Sequence, residues 1–243
     1  MTPEERIAQL EAELAALRAE MQAFTHTVSH DLRAPLRHIV SYAQLVQEDA
    51  GPQLSAEVQG FLATMTDSAR HMGRQLDGLS ALAQVGAATV TLAPVQLTEL
   101  VQELITKLAH QHPTRTLDWR IAPHLPTVQA DANLLRQALQ HVLANAVKFS
   151  APREVAVIEI SAERPDGQPV AVLHVRDNGV GYNPAQQAAL FKVFGRLHSG
   201  KQFDGLGMGL VLTAKALQRM GGSVAAQGVV DGGCCVTFTL PKQ

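Results

Sequence analysis

Cysteine is almost missing from this chain: Cys234 and Cys235 are the only two, and they are neighbours. Adjacent cysteines build neither a disulfide framework nor a metal quartet. Aromatic residues are equally scarce at 4%, which removes the stacking surface that a single-strand nucleic-acid binder needs. An excess of one charge is lacking too, since 20 Lys and Arg stand against 22 Asp and Glu for a net charge of −2. No basic footprint for DNA or RNA is left. No apolar run approaches the roughly 20 residues that cross a bilayer, and no signal-peptide pattern opens the chain. These absences predict a reduced, cytoplasmic protein with no nucleic-acid partner and no membrane segment in this chain. What is present is 46% hydrophobic residues over 243 positions, enough to bury the core of one large domain or two ordinary ones.

The first third reads as helix. Ile7, Leu10, Leu14, Leu17, Met21, Phe24 and Val28 alternate spacings of three and four, the seam of a coiled coil. Glu5, Arg6, Glu11, Glu13, Arg18 and Glu20 lie between them as a solvated face. After Val28 the apolar positions move to Leu32, Leu36 and Ile39, and Pro35 is predicted to bend the helix. The helix should end near residue 48, at the turn Asp49-Ala50-Gly51-Pro52. A second helix is expected over 55–85, with Val58, Phe61, Leu62, Met65, Met72, Leu76, Leu79 and Leu82 on one broad face. Two helices bury only part of such stripes, so the hairpin predicts a symmetric homodimer forming a four-helix bundle. The competing arrangement is a monomer whose hairpin packs on its own C-terminal half.

Residues 86–94 read as a linker, and mixed grammar follows. Helices are expected over 97–110, 132–148 and 210–220, with Asp131 suited to the N-cap of the second. Strands are expected over 116–121, 155–161, 170–176, 223–227 and 235–240, with a turn at Pro165-Asp166-Gly167 between the second and third. Helices beside a run of antiparallel strands predict an α/β sandwich with one helical face.

Four constellations could carry chemistry. Ser29-His30-Asp31-Leu32 places His30 two residues beyond the seam position Val28, hence on the solvent side, with a carboxylate next to it. Asp31 can hold the proton on one imidazole nitrogen and so leave the other nucleophilic. The bland alternative is an ordinary surface histidine, one of ten. Asn145 and Lys148 share a face at the end of an amphipathic helix, where the amide oxygen suits Mg²⁺ and the ammonium suits a phosphate. Their bland reading is a helix end with Lys matching the dipole. Asp177-Asn178-Gly179-Val180-Gly181 follows a strand, so Asp177 can accept from an exocyclic amine while bare backbone lets a ring approach, or it is a simple Asn-Gly turn. Gly205-Leu206-Gly207-Met208-Gly209-Leu210 leads into a helix and can line a phosphate with N–H groups, or it is a flexible loop. Two decoys fail: Leu210 breaks the dinucleotide fingerprint, and Gln202 stands where the P-loop spacing from Gly195 needs Ser or Thr.

The order of these pieces is more specific than any one. Over residues 20–241 the chain resembles the catalytic core of sensor histidine kinases, with wording (SHDLRAPLRHI, FGRLH) similar to the phytochrome-like branch. SHDLRAPL resembles the phosphoacceptor box, ANAVKFS the N box, DNGVGY and GLGMGL the two glycine boxes, and LFKVFGRLHS the F box. The resemblance implies a coiled coil over 1–28 leading into a phosphotransfer hairpin over 29–90, and an ATP-binding domain over 91–243. His30 would take the γ-phosphate of ATP, with Asp31 as the base that orients and activates it. Asn145 would bind Mg²⁺. Lys148 and Arg196 would contact phosphates, with Phe149 beside them. Asp177 would bond the adenine amine, and Gly179 and Gly181 would shape the base pocket. Gly205, Leu206, Gly207, Met208, Gly209 and Leu210 would wrap the triphosphate, and 195–204 would form a lid. The implied partners are the homodimer mate, a response-regulator receiver domain, and an upstream sensor domain or separate sensory protein.

Some positions depart from the family's usual pattern. His141 stands in place of a first Asn, Phe149 in place of a frequent Tyr, and Cys234 in place of Ser or Thr. Ala34 stands four residues after His30, where many relatives carry the Thr or Asn that positions water for dephosphorylation, so weak phosphatase activity is expected. Two rivals to a histidine kinase are an ATPase or serine kinase on the same nucleotide fold, and a non-enzymatic dimeric scaffold switched by nucleotide. The first leaves the hairpin with His30 and Asp31 unexplained.

Overall fold

The first helix, α1 (Pro3–Ala50), starts where its sequence tells it to. Thr2 Oγ1 accepts from the Glu5 N–H at 3.2 Å, and Glu5 Oε2 accepts from the Thr2 N–H at 2.7 Å. Pro3 fills the first helical position, where no N–H is needed. The computed structural model describes residues 2–163, 170–200 and 202–241. The turn expected at Pro165-Asp166-Gly167, the Lys201 of the P-loop decoy and the Glu11 side chain lie outside the described residues.

Two units divide the chain, Met1–Ala87 and Ala88–Gln243. In the first, α1 turns through a short 3-10 segment (Gly51–Gln53) into α2 (Ala56–Ala87), and the two helices pack as an antiparallel hairpin. α1 remains helical straight through Pro35. Proline has no N–H, so the Asp31 carbonyl one turn earlier loses its helical partner. The helices are tied by Ser80 Oγ donating to Ser29 Oγ at 2.8 Å and by Arg33 to Asp77 at 2.7 Å. The hairpin's core is thin: among the described residues its only buried apolar side chains are Ala43, Ala69 and Val85. Leu10, Leu14, Leu17, Met21 and Phe24 all stay exposed.

The second unit is an α/β sandwich. Its main sheet runs in the order β2 (Leu117–Ile121), β4 (Ala156–Glu163), β5 (Val170–Asp177), β7 (Gly233–Pro241), β6 (Ser223–Val229). Four strands pair antiparallel, as expected, but β2 pairs parallel with β4. Periodicity cannot reveal that reversal, because alternation is the same in either direction. A second departure is the small sheet of β1 (Ala93–Gln96) and β3 (Thr127–Ala130), antiparallel in register Val95↔Val128. The end of the expected linker is therefore a strand. Only four residues long and half proline-restricted, it carries too little pattern to read locally.

α3 (Leu97–Gln111), α4 (Ala132–Phe149) and α5 (Gly209–Arg219) cover one face of the sheet. Ile158, Ile160, Leu173, Phe238 and Leu240 from the strands, with Leu135, Leu139 and Leu143 from α4 and Leu217 from α5, form a fully buried core. The other face is polar, with Arg120 bonded to Asp118 at 2.9 Å and to Glu159 at 3.3 Å. Asp131 caps α4 by accepting from the Asn133 and Leu134 N–H groups, as its position predicts.

Candidate active site

His30 lies in mid-helix on the solvent side of α1, its side chain 75% exposed. Its Nδ1 is 3.2 Å from Asp31 Oδ1. A carboxylate accepts only, so the contact keeps the proton on Nδ1 and leaves the Nε2 lone pair to act. The freed Asp31 carbonyl sits in the same turn, and Arg33–Asp77 and Ser29–Ser80 bracket the pair from the inner side. These ties hold the helix register while the imidazole itself stays free.

In the second unit, the end of α4, the end of β5 and the start of α5 converge. Ser150 Oγ donates back to the Ala146 carbonyl at 2.7 Å, and Arg115 donates to the Val147 and Ser150 carbonyls at 2.9 Å each. The last turn of α4 is thereby fixed, and it presents Asn145 and Lys148 to the glycine loop. A side chain placed on Gly205 would meet Lys148 Nζ at 3.1 Å, and one on Gly209 would meet Asn145 Nδ2 at 3.6 Å. Burial, helped by the nearby Arg196 charge and opposed by Asp204, lowers the Lys148 pKa. An ammonium held among too few anions is ready for a phosphate. The same ammonium lies 4.5 Å above the Phe149 ring.

The loop entering α5 is built around its glycines. Gly207 has φ +74, and a Cβ there would strike the Gly195 carbonyl at 2.2 Å. The loop is thus seated on the backbone after Phe194, itself held in the left-handed region at φ 61. Among the described residues no side chain caps α5, so its first N–H groups are left without a side-chain acceptor, the kind of helix start that an anion can occupy. Met208 is buried, whereas Leu206 and Leu210 are half-buried.

Asp177 closes β5 at 8% exposure. Its Oδ1 accepts from the Gly179 N–H at 2.8 Å and from the Cys234 N–H at 3.2 Å. Burial outweighs both bonds and pushes the carboxyl up to about 6. A buried carboxylate with an oxygen to spare is suited to an amine donor. A Cβ on Gly181 (φ +58) would meet the Val229 carbonyl at 1.8 Å, so the chain packs closely against the bare backbone there. Cys234 contributes its backbone N–H, while burial drives its thiol up to about 12 and leaves it unreactive.

Phe149 forms a mutual ring cluster with His198 and Phe203, two residues to which sequence reading gave no role, with centroids 5.1 to 5.4 Å apart. His198 Nε2 donates to the Gly181 carbonyl at 2.9 Å, joining 195–204 to the loop after β5. Arg196, the residue expected to contact phosphates, donates to the Phe203 carbonyl at 2.7 Å. Asn178 extends the sheet edge, accepting from the Val157 N–H and donating to the Val155 carbonyl. The His198 and Asn178 bonds join segments 17 to 23 positions apart, which no local signal marks.

Among the described residues no three His, Cys, Asp or Glu side chains gather as a metal site. A Mg²⁺ here would therefore take one amide oxygen from Asn145 and fill its shell with phosphate oxygens and water, a donor set that suits this ion. Neighbouring His141 fits beside it, because burial lowers its pKa and keeps it neutral.

Two families match the chain. Residues 20–88 match the His Kinase A (phospho-acceptor) domain, and residues 130–243 match the histidine kinase-, DNA gyrase B- and HSP90-like ATPase. Cyanobacterial phytochrome A of Nostoc sp. is 30% identical over 98% of this chain and 30% of its own length. The methanogenesis regulatory histidine kinase FilI of Methanothrix harundinacea is 30% identical over 98% of this chain and 26% of its own. The chain thus spans about 30% of the length of such relatives. Among solved structures, full-length ShkA in complex with AMPPNP aligns with a TM-score of 0.63 and 28% identity, covering 90% of this chain and 45% of that one. The Acinetobacter baumannii histidine kinase AdeS shares the fold at a TM-score of 0.61 and 17% identity, over 88% of this chain and 98% of its own.

Proposed function

The chain belongs to the histidine kinases, a phospho-acceptor domain followed by an ATPase domain, and from that premise we propose that it phosphorylates His30 from ATP and passes the phosphoryl group on. Asp177 receives the adenine amine, and Lys148 and the N–H groups of Gly205, Gly207 and Gly209 receive the phosphates. Asn145 holds Mg²⁺, which neutralises phosphate charge when bound. The AMPPNP complex of ShkA supports this assignment of the nucleotide. His30 Nε2 attacks the γ-phosphorus, the bond to the ADP oxygen breaks and the P–N bond forms, while the imidazole keeps its Nδ1 proton, hydrogen-bonded to Asp31. An Asp carboxylate of a response-regulator receiver domain then takes the group from nitrogen to oxygen. Such transfers need positioning and charge neutralisation more than covalent help. ATP dependence puts this work in the cytoplasm, under a sensory domain or partner.

The observation that carries this reading is one chain holding both an exposed imidazole fixed at Nδ1 by a carboxylate and a buried carboxylate beside an uncapped, glycine-seated helix start. Incubation with γ-labelled ATP and Mg²⁺ should give acid-labile, alkali-stable label that His30→Ala loses. Acid-stable label surviving in His30→Ala would instead favour a serine kinase on this fold, and nucleotide binding without any label a switched scaffold. Ala34 offers no hydrogen bond to a water, so the same preparation should dephosphorylate a phospho-regulator slowly or not at all.

A further inference from the structure

Four successive carbonyls follow Asp177, and each has its own donor. Arg153 Nε donates to Asn178 O at 2.8 Å and its terminal nitrogen to Gly179 O at 3.0 Å. The Asp231 N–H donates to Val180 O at 2.8 Å, and His198 Nε2 to Gly181 O at 2.9 Å. Arg153 is the centre of this arrangement, because the same terminal nitrogen also reaches Asp231 O at 2.8 Å, with the Asp231 carboxylate at 3.7 Å. One guanidinium thus joins three strands of chain: the segment after α4, the loop after β5, and the tip of the β6–β7 hairpin. Of the two bonds that aim Asp177, one comes from the Gly179 N–H of the loop after β5, and the other from the Cys234 N–H at the start of β7, three residues beyond Asp231.

We infer that Arg153 is a positioning residue for adenine recognition, fixing the loop that sets the Asp177 carboxylate. The fork geometry is the reason for arginine: its planar, rigid donors reach carbonyls on separate segments at once, which a single ammonium cannot. The side chain is one-third exposed and touches neither Asp177 nor the Asn145–Lys148 face in any recorded bond, so it acts through the loop. Removing it frees the Asn178 and Gly179 carbonyls to bond water, and the Gly179 N–H loses its fixed approach to Oδ1. The consequence falls on the base and spares the phosphates, which other segments hold.

This rests on the ATP reading above, and the test separates the two. Calorimetric titration of the full chain with ADP and with GDP should show the parent preferring ADP. Arg153→Ala should lose about tenfold or more in ADP affinity, the scale of one charge-assisted bond felt through the loop, with little change for GDP. Arg153→Lys, able to restore one bond, should fall between. An Arg153→Ala protein that melts earlier but keeps the parental ADP:GDP ratio would show a merely structural role and overturn the inference. Where Arg153→Ala does not fold, a parental ratio in Arg153→Lys overturns it equally. A parent that binds no ADP overturns the ATP reading itself.

Discussion

Asp177 joins a cost in stability to the contact with adenine proposed for it. Its folded pKa, about 6, lies above the ordinary 3.8. Between those values the native state keeps a proton that the unfolded chain has released, so stability falls as pH rises through that window. Above about 6 the carboxylate is charged, which is the form that would accept from an adenine amine in the proposed site. Nucleotide affinity should therefore decline as pH drops below about 6, readable by titration at a series of pH values. Asp177→Asn can still accept from the Gly179 and Cys234 N–H groups while shedding the buried charge. It should be more stable than the parent at neutral pH by roughly 1 to 3 kcal/mol and bind ADP at least about tenfold more weakly. Unchanged melting and unchanged affinity together would refute this account of the residue. Asp177 was legible as a candidate from its place at a strand end before two glycines. Its burial and its Cys234 partner were not, since Cys234 is brought alongside only by β5 pairing with β7.

At the scale of elements, periodicity carried most of the information. The seam from Ile7 to Val28, the Asp131 cap and the alternating strands each declare themselves within a few residues, because helix and strand place side chains at fixed intervals. Pro35 was legible as a defect, and α1 continues through it. The loss of one N–H leaves the Asp31 carbonyl without its helical partner in the turn that carries His30, a local softness beside the nitrogen proposed to react. Pro35→Ala restores that bond and should raise the stability of the hairpin by roughly 1 to 3 kcal/mol, followed by thermal melting. Autophosphorylation should slow several-fold if the softness serves the transfer. Melting no higher than the parent's would contradict the reading of Pro35 as a held defect. The parallel pairing of β2 and the short β1–β3 sheet lay beyond local reading, since direction and partner depend on segments distant in the chain.

For the whole molecule, the hairpin's thin core is the strongest constraint. Leu17 and Phe24 are 62% and 65% exposed in the single chain, while Ala43, Ala69 and Val85 are all that its helices bury of apolar side chains among the described residues. Apolar exposure on that scale calls for a partner, and a second copy supplies the same stripe by symmetry. Light scattering should give the mass of a dimer, and Leu14→Glu with Leu17→Glu should shift it towards monomer and lower labelling of His30. A monomeric parent at micromolar concentration would exclude the four-helix bundle.

By itself the sequence determined the two-part plan, the helical hairpin with its solvent-facing His30, and the order of boxes that marks a nucleotide site. All of these are written in spacings between near neighbours, where backbone geometry converts number directly into direction. Only the tertiary structure decided what holds the site in place. Arg153 on three segments, His198 on Gly181, and Cys234 behind Asp177 join residues 17 to 78 positions apart. Such contacts exist only once the sheet has closed, because the energy that selects them is packing rather than local conformation.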